Sequence, residues 1–553
     1  MKRIISIIIL VSSSISVCSQ TTAKETEKIA TFCKLWGFLK YHHPTVAQGE
    51  LDWDKEFTTR IKKLDSLRSK QAISHYYSQW ISSLGEVKSC FKCKDDPPGS
   101  LKFNLEMDWI SDTNIFTPVL IDQLLFIHQN RNQGRNFYVQ QNKNIGNTGY
   151  ENEKSYPDSI FPSIELRLLG LSRYWNIINY YYPYKYIIGQ DWDSVLTEMI
   201  PKFKDSNDTI SYHLAMMELT AKINDSHAGF VSKYTNQYFG IKWAPFKFKI
   251  IENKVIVTGF YSDSLCEIND LRYGDVFLEV DGSTIEEIIN AKSKYIGASN
   301  QAAKLRNMNY AIFNGASDSA NVIFEREGVI AEKTIKRYFF KEFDYNWESK
   351  QKGKAYEILD GNIGYVNLGL LQRKQTVRIL KKLKNTKAII FDVRNYPNKS
   401  LYHIANFLNT EKKPFAKFSV PIISSPGVFD YTTPYFCGKN NRNPYAGKVI
   451  VLFNETSQSH AEFTIMALKT APDVTTIGSQ TAGSDGDVSL ITFPGNYKTY
   501  MTGIGVYYPD GTETQRVGIV PDIEIKPTIQ GVKQGRDELM EKAIELINLT
   551  LKN

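Results

Sequence analysis

Ser457, Ser459 and His460 follow a β-branched and apolar run at 449–453. That run reads as a buried strand. Residues 460–468 read as a helix with apolar Phe463, Ile465, Met466 and Leu468, closed by Pro472. Ser459 therefore falls where a strand hands over to a helix. The N–H groups of the helix N-terminus point toward that position and would stabilise an oxyanion forming there, so one reading is a nucleophilic hydroxyl. The other is structural, with Ser457 or Ser459 as the helix cap, which is the commoner use of serine at such a turn.

A serine hydroxyl is a poor nucleophile unless a base adjoins it, and histidine titrates in the right range. Of the eight histidines, His227 has the most telling setting. It lies in Asp225-Ser226-His227-Ala228-Gly229, where a predicted helix ends and the ring is presented at a terminus or loop. His42 and His43 sit in an aromatic cluster, and His75, His128, His213 and His403 fall on helical faces. The cysteines offer less chemistry. Cys90 and Cys93 suit a disulfide in an oxidising compartment or half of a metal site, but a second pair to complete a zinc site is missing. A structural pair or free thiols is the better reading, and no metal or cofactor is implied.

The elements that must position these residues span 553 residues, enough for about three to four domains. Hydrophobic content of 42% and aromatic content of 13% suit large packed cores. The formal charge of +8 comes from dispersed Lys and Arg, with no basic block, so nucleic acid is excluded as a partner. Lys2 and Arg3 precede an apolar run at 4–11 and a Ser-rich stretch to Gln20, the order of a signal peptide with cleavage at Val17-Cys18-Ser19. Val17 is bulky for a lipidation signal, which argues against a lipid anchor at Cys18. No later run reaches about 18 apolar residues, so no transmembrane span is expected after signal removal. The expected location is the periplasm, the cell surface or the medium.

An internal repeat follows. Trp36 to Pro44 resembles Trp175 to Pro183, and Asp52-Trp53-Asp54 matches Asp191-Trp192-Asp193, both at an offset of 139. Each copy reads as a helix ending before the proline, a loop, and a helix starting near Asp-Trp-Asp. Residues 103–156, rich in Asn, Gln and Asp, read as an irregular connector. From 242 to 337 short strands and turns dominate. There Gly274-Asp275, an alternating strand, Asp281-Gly282 and a helix start resemble a PDZ domain, which adds a peptide as a strand to a sheet edge. Beyond Tyr356, strand and helix alternate as in a layered α/β core, with a buried strand at 388–394 and a final helix at 537–549.

The strand 388–394 with its turn, Ser457-Gln458-Ser459-His460-Ala461-Glu462, Gly478-Ser479-Gln480-Thr481-Ala482-Gly483 and Gly518-Ile519-Val520-Pro521-Asp522 stand in that order behind the PDZ-like segment. Together they resemble the C-terminal processing (tail-specific) and tricorn-core serine peptidases over about 160–527. The resemblance implies a crotonase-like layered core, a peptide or protein substrate, and Ser459 as the nucleophile three residues before Glu462. The processing branch uses a lysine at the position held here by Ser484, and 471–497 contains none. The histidine-dependent, tricorn-like branch fits instead, with His227 as the base. That branch orients its histidine with a carboxylate; counting places Gln515 there, with Glu513 two residues away. The oxyanion N–H groups are expected from His460 and, in the turn Asn395-Tyr396-Pro397-Asn398-Lys399, from Asn398. That turn lacks the glycines the family carries.

The expected fold is therefore multidomain α/β: signal peptide 1–19, N-terminal helical region 20–159, helical segment 160–238 with the second repeat, PDZ-like domain 239–345, peptidase core 346–530 and C-terminal helix 531–553. The expected function is an exported serine endopeptidase. The alternative is a catalytically inert peptidase-fold protein that binds peptides or hydrophobic ligands. Oligomeric state has no signal in the sequence.

Overall fold

Apolar runs that alternate large β-branched residues on two faces build the central sheet of the computed structural model, which describes residues 23–91, 93–343 and 353–550. The expected signal peptide and Cys18 lie outside these residues. Contacts divide the chain into two units, 1–219 with 420–431 and 488–504, and the remainder. A consecutive division of the chain assigns both of those short excursions to the core.

The first unit is mainly helical. A helix at 23–42 ends before Pro44, and Trp53–Arg60 follows with Asp52 accepting from Lys55 N–H (3.2 Å). Ile164–Tyr181 and Trp192–Lys204 repeat the plan, Asp191 capping through Ser194 N–H (2.8 Å). Trp36 and Trp53 each donate an indole N–H to the other's carbonyl (3.1 and 3.2 Å), and Trp175 and Trp192 do the same (2.7 and 3.0 Å). The two long helices meet through positions 139 apart: a Cβ on Gly37 would overlap Asn176, Ser172 Oγ donates to Cys33 O, and Tyr41 packs edge-on against Tyr180. The tryptophans are buried packing residues. Within 103–156 the structure differs from the irregular connector expected, since Pro118–Gln129 is a helix. Pro118 starts it and Leu120, Ile121, Leu124 and Ile127 bury one face, a periodicity that the surrounding amide-rich composition obscured. Cys90 and Cys93 form a disulfide, while Cys33, Cys266 and Cys437 are buried thiols whose acidity burial suppresses.

The two largest sheets among the described residues lie in the second unit. In one, Phe246–Ile251, Lys254–Phe260, Val276–Val280, Ser319–Arg326 and Val329–Lys336 run antiparallel in that order, with the helix Ile285–Lys292 packed on it. The other is six-stranded, in sequence order: β1 Tyr356–Leu359, β2 Ile363–Asn367, β3 Ala388–Asp392, β4 Lys448–Phe453, β5 Val474–Gly478 and β6 Ile523–Glu524. It is parallel except for β1. Ile389, Phe391, Val449 and Val451 face one core with Ile379, Ile404 and Ile465. Ala388, Ile390, Ile450 and Leu452 face another with Leu539, Ala543 and Ile547 of the last helix, Glu538–Thr550. Burial on both faces is why these strands read as unbroken apolar runs. Parallel strands bring their C-terminal ends to one edge, and the loops there carry the chemistry. Among the described residues no helix is long and apolar enough to cross a membrane.

Candidate active site

β4 ends at Phe453 and the helix α1, His460–Leu468, begins seven residues later. The link is tied down by Ser457, which is buried and donates its hydroxyl to Val393 O at the end of β3 (2.7 Å). Ser457 is thus a tether between strand ends. Ser459 has φ 57° and ψ −122°, a region that non-glycine residues rarely occupy and that costs about 1–3 kcal/mol. Its hydroxyl makes no cap hydrogen bond to the first turn of α1. A serine in strained backbone on a strand-to-helix turn has the backbone arrangement of a nucleophile elbow. The next N–H, that of His460, stands at the first position of α1, where no helical acceptor exists.

The strain persists because Glu462 holds it. This carboxylate is fully buried and accepts from Ser459 N–H (3.0 Å), Gly483 N–H (2.9 Å), Ser484 N–H (3.1 Å) and Thr481 Oγ1 (2.5 Å). Burial pushes its acidity down and raises the pKa, while these four donors work the other way. Ser459 N–H also reaches Ser484 O (3.0 Å) and Ala482 N–H reaches Ser457 O (3.0 Å), so the loops 455–459 and 479–486 are joined directly. Gly483 has φ 65°, and a Cβ there would stand 2.8 Å from Arg516 O, so only glycine lets the two segments approach.

Ser484, at the position where the processing branch would carry its lysine, is the residue that reaches the histidine. Its Oγ donates to Asp225 Oδ1 (2.7 Å) and lies 2.8 Å from His227 Nδ1. A carboxylate only accepts, so the hydroxyl proton is directed at Asp225 and the oxygen lone pair is left to accept from Nδ1–H. That selects the tautomer with a basic lone pair on Nε2. Asp225 and His227 are 3.8 Å apart, too far for a direct hydrogen bond, so the serine oxygen is the bridge. Asp225 also accepts from the His227 backbone N–H (3.0 Å). Burial lowers the His227 pKa, Asp225 and Asp487 oppose that, and Arg306 adds to it, so the imidazole is neutral at pH 7.

The histidine loop is fixed from its other side. Ser226 and Ser299 exchange hydrogen bonds, each N–H to the other's Oγ (2.8 Å both). Gly297 lets the backbone close, since a Cβ there would stand 2.4 Å from Ala228 O. Gln515 is buried and donates to Ser299 Oγ (3.4 Å), so it is linked to the histidine loop through Ser299. Glu513 pairs through its backbone with Tyr507. Asn398 differs from expectation. Its N–H is hydrogen-bonded to Leu368 O (3.3 Å), which removes it as an oxyanion donor, because an N–H engaged in the scaffold does not face the site. Lys399 follows in the left-handed region (φ 54°), the conformation for which a glycine would be the easier choice.

The sequence singled out Ser459 and His227, and the contacts of Ser484 with Asp225 and His227 were not among its expectations. Their signal was the absence of a lysine there combined with Asp225 two residues before His227, a pattern whose meaning depends on the loops meeting in space.

Residues 362–525 match the model of peptidase family S41. Among solved structures, mature CPAF complexed with lactacystin is 16% identical, covering 70% of this chain and 98% of that one, with a TM-score of 0.55. The photosystem II D1 C-terminal processing protease is 16% identical over 68% of this chain and 98% of that one (TM-score 0.37), and the tricorn protease 17% over 70% and 37% (TM-score 0.34). At these identities the likeness to CPAF speaks to the fold alone, and the two lower scores add no argument. No curated protein matches the chain.

Proposed function

We propose that this chain, whose residues 362–525 form a serine-peptidase core of family S41, is an exported endopeptidase acting through Ser459 and His227. His227 Nε2 takes the Ser459 proton as Oγ attacks a peptide carbonyl, and the resulting imidazolium returns it to the leaving amine. The acyl-enzyme is then cleared by water activated by the same nitrogen. Ser484 and Asp225 replace Gln515 or Glu513 as the orienting pair: the Nδ1–H donates to Ser484, which donates to Asp225, so charge developing on the ring is balanced through a relay. His460 N–H supplies one oxyanion donor and Lys399 N–H the second. The observation that carries this reading is the hydrogen-bonded series Asp225–Ser484–His227 beside a serine in strained backbone.

The antiparallel sheet at 246–336 supports PDZ-like recognition of an extended peptide, because its outermost strands, Phe246–Ile251 and Val329–Lys336, each have a single strand neighbour in the sheet. The reciprocal tryptophan pairs support a duplicated two-helix unit in the N-terminal region. Export rests on the leader-like sequence at 1–19, and the Cys90–Cys93 disulfide agrees with an oxidising compartment.

One observation favours the inert alternative. Among the described residues no hydrogen bond joins Ser459 Oγ to His227, so the pair must close on substrate. Labelling with a fluorophosphonate decides between the two. Wild type is expected to label at Ser459 and to cleave a peptide library, with both lost in Ser459→Ala. No labelling of the intact protein, together with equal cleavage by the two forms, overturns the proposal.

A further inference from the structure

The residue before the nucleophile and the residue before the base are joined directly. Gln458 Nε2 donates to Ser226 O (3.3 Å), one position ahead of Ser459 on one loop and of His227 on the other. The orientation of that amide is dictated by its other end. Arg306 Nη2 donates to Gln458 Oε1 (2.8 Å), and a guanidinium carries donors only, so the amide oxygen must face it and the NH2 is left for the carbonyl. The guanidinium is fixed at two further points, through Nη1 to Glu455 O (2.8 Å) and Nε to Asn307 Oδ1 (3.0 Å). A planar fork held at three points leaves little freedom to the group it grips.

The short helix that carries Arg306, Gln301–Asn307, is tied to the neighbouring loops as well. Asn300 at its start donates to Thr481 O (2.8 Å), Ser299 and Ser226 exchange N–H to Oγ bonds, and Asn307 donates to Gly297 O (3.0 Å). Residues 297–307 therefore brace the loops 225–229, 455–459 and 479–486. Arg306 also acts through its charge. It lowers the His227 pKa together with burial, while Asp225 and Asp487 raise it.

We infer that Gln458 and Arg306 are positioning residues: the Gln458 amide sets the separation of the loops that hold Ser459 and His227, and Arg306 keeps the amide in the orientation that does so. The inference rests on the Ser459–His227 reading and adds to it a tie separate from Asp225 and Ser484. Those two select the tautomer of the ring, whereas the Gln458 bond acts on the distance between the backbones that carry the ring and the hydroxyl. Misplacing reacting groups by about 1 Å costs on the order of 100-fold in rate, so one bond at this point has a large effect.

The test uses the full chain, with circular dichroism to establish folding. Gln458→Met keeps the length of the side chain and removes the amide. Gln458→Glu keeps an acceptor for Arg306 and removes the donor to Ser226 O. Both are expected to lower kcat at pH 8 by about tenfold or more, with KM within about twofold of wild type. A side chain that served only to hold Arg306 would be replaced by glutamate without loss. The pH profile tells the two residues apart. Arg306→Ala removes a positive charge felt by His227 and leaves Asp225 and Asp487 in place, so its acid limb should move to higher pH. Arg306→Lys and Gln458→Met keep that charge, and their limbs should hold the wild-type position while the plateau falls. Backbone hydrogen exchange separates this inference from catalysis. In Gln458→Met, exchange should quicken about threefold or more at 456–460 and, across the lost bond, at 225–229, and stay unchanged at 388–392. That result upholds the brace even if no peptide is ever cleaved. Unchanged exchange at 225–229, or in an active enzyme a kcat within about twofold of wild type in both Gln458 variants, overturns it even if Ser459 proves to be the nucleophile.

Discussion

Ser484→Ala is the most direct probe of the relay. The substitution removes one oxygen that lies 2.8 Å from His227 Nδ1 and 2.7 Å from Asp225 Oδ1. The carboxylate and the ring nitrogen are 3.8 Å apart, so they do not close the gap without backbone movement. Hydrogen bonds involving a charged partner contribute about 1.5–3 kcal/mol, and the ring is charged only in the transition state, so the loss falls mainly on kcat. A loss of about 2–3 kcal/mol corresponds to about 30- to 160-fold in kcat/KM, with KM nearly unchanged because Ser484 does not touch substrate in this mechanism. The pH profile gives an independent readout. Activity rises with pH as His227 loses its proton. Asp225 raises the His227 pKa by its charge, against the burial that lowers it, and that charge stays in place in Ser484→Ala, so the acid limb should keep its wild-type position while the plateau falls. The assay is steady-state peptide cleavage from pH 5 to 8, with circular dichroism to establish folding. A folded Ser484→Ala enzyme within twofold of wild type across that pH range would falsify the relay.

Three other outcomes follow from buried charge. Glu462→Gln places an amide NH2 against N–H donors that now meet a carboxylate, so both loops should loosen; a stability loss of about 2–4 kcal/mol and a fall in kcat of at least 100-fold are expected by denaturant titration and peptide turnover. Asp485 is buried beside Glu462 with Oδ2 lacking a partner, and its pKa is held well above the usual carboxylate range by burial and by Glu462. The folded state keeps a proton that the unfolded chain releases above about pH 4, so stability declines as pH rises toward the folded value. Asp485→Asn should thus be more stable than wild type at pH 7, with the gain vanishing near pH 4; melting curves showing the reverse order would count against this. In the first unit His43 and His213 are buried and depressed to about 4, from about 6.5 when unfolded. Their contribution is complete above pH 6.5 and is lost as pH falls toward 4, about 2–3 kcal/mol for each by pH 4.5. Thermal melts of wild type and His43→Phe should converge in acid if His43 carries its share.

Much was legible from local pattern. Asp52 and Asp191 were recognisable as caps because a cap needs only its own next turn, and the repeat declared itself through tryptophans at a constant offset. The core strands were identifiable because burial on both faces leaves no polar alternation. Pro118–Gln129 escaped because its apolar periodicity is short and lies among amide-rich segments. The partner of the Asn398 N–H was not legible for a different reason: counting along a turn gives its order, while the direction of each N–H depends on which carbonyl stands opposite, here that of Leu368.

Residue type and spacing alone thus determined the strand-to-helix position of Ser459, the loop placement of His227, the absence of a lysine near Ser484 and the parallel layered core. All of these are local, set by one element and its ends. Tertiary structure decided the rest. It chose Ser457 as tether, left the Ser459 hydroxyl out of any cap, gathered four donors onto Glu462, and set Ser484 between Asp225 and His227, which are 257 or more residues away in the chain. Those relations come from loops at the ends of different parallel strands, whose approach is governed by backbone contacts such as that at Gly483 and has no signature in any single segment.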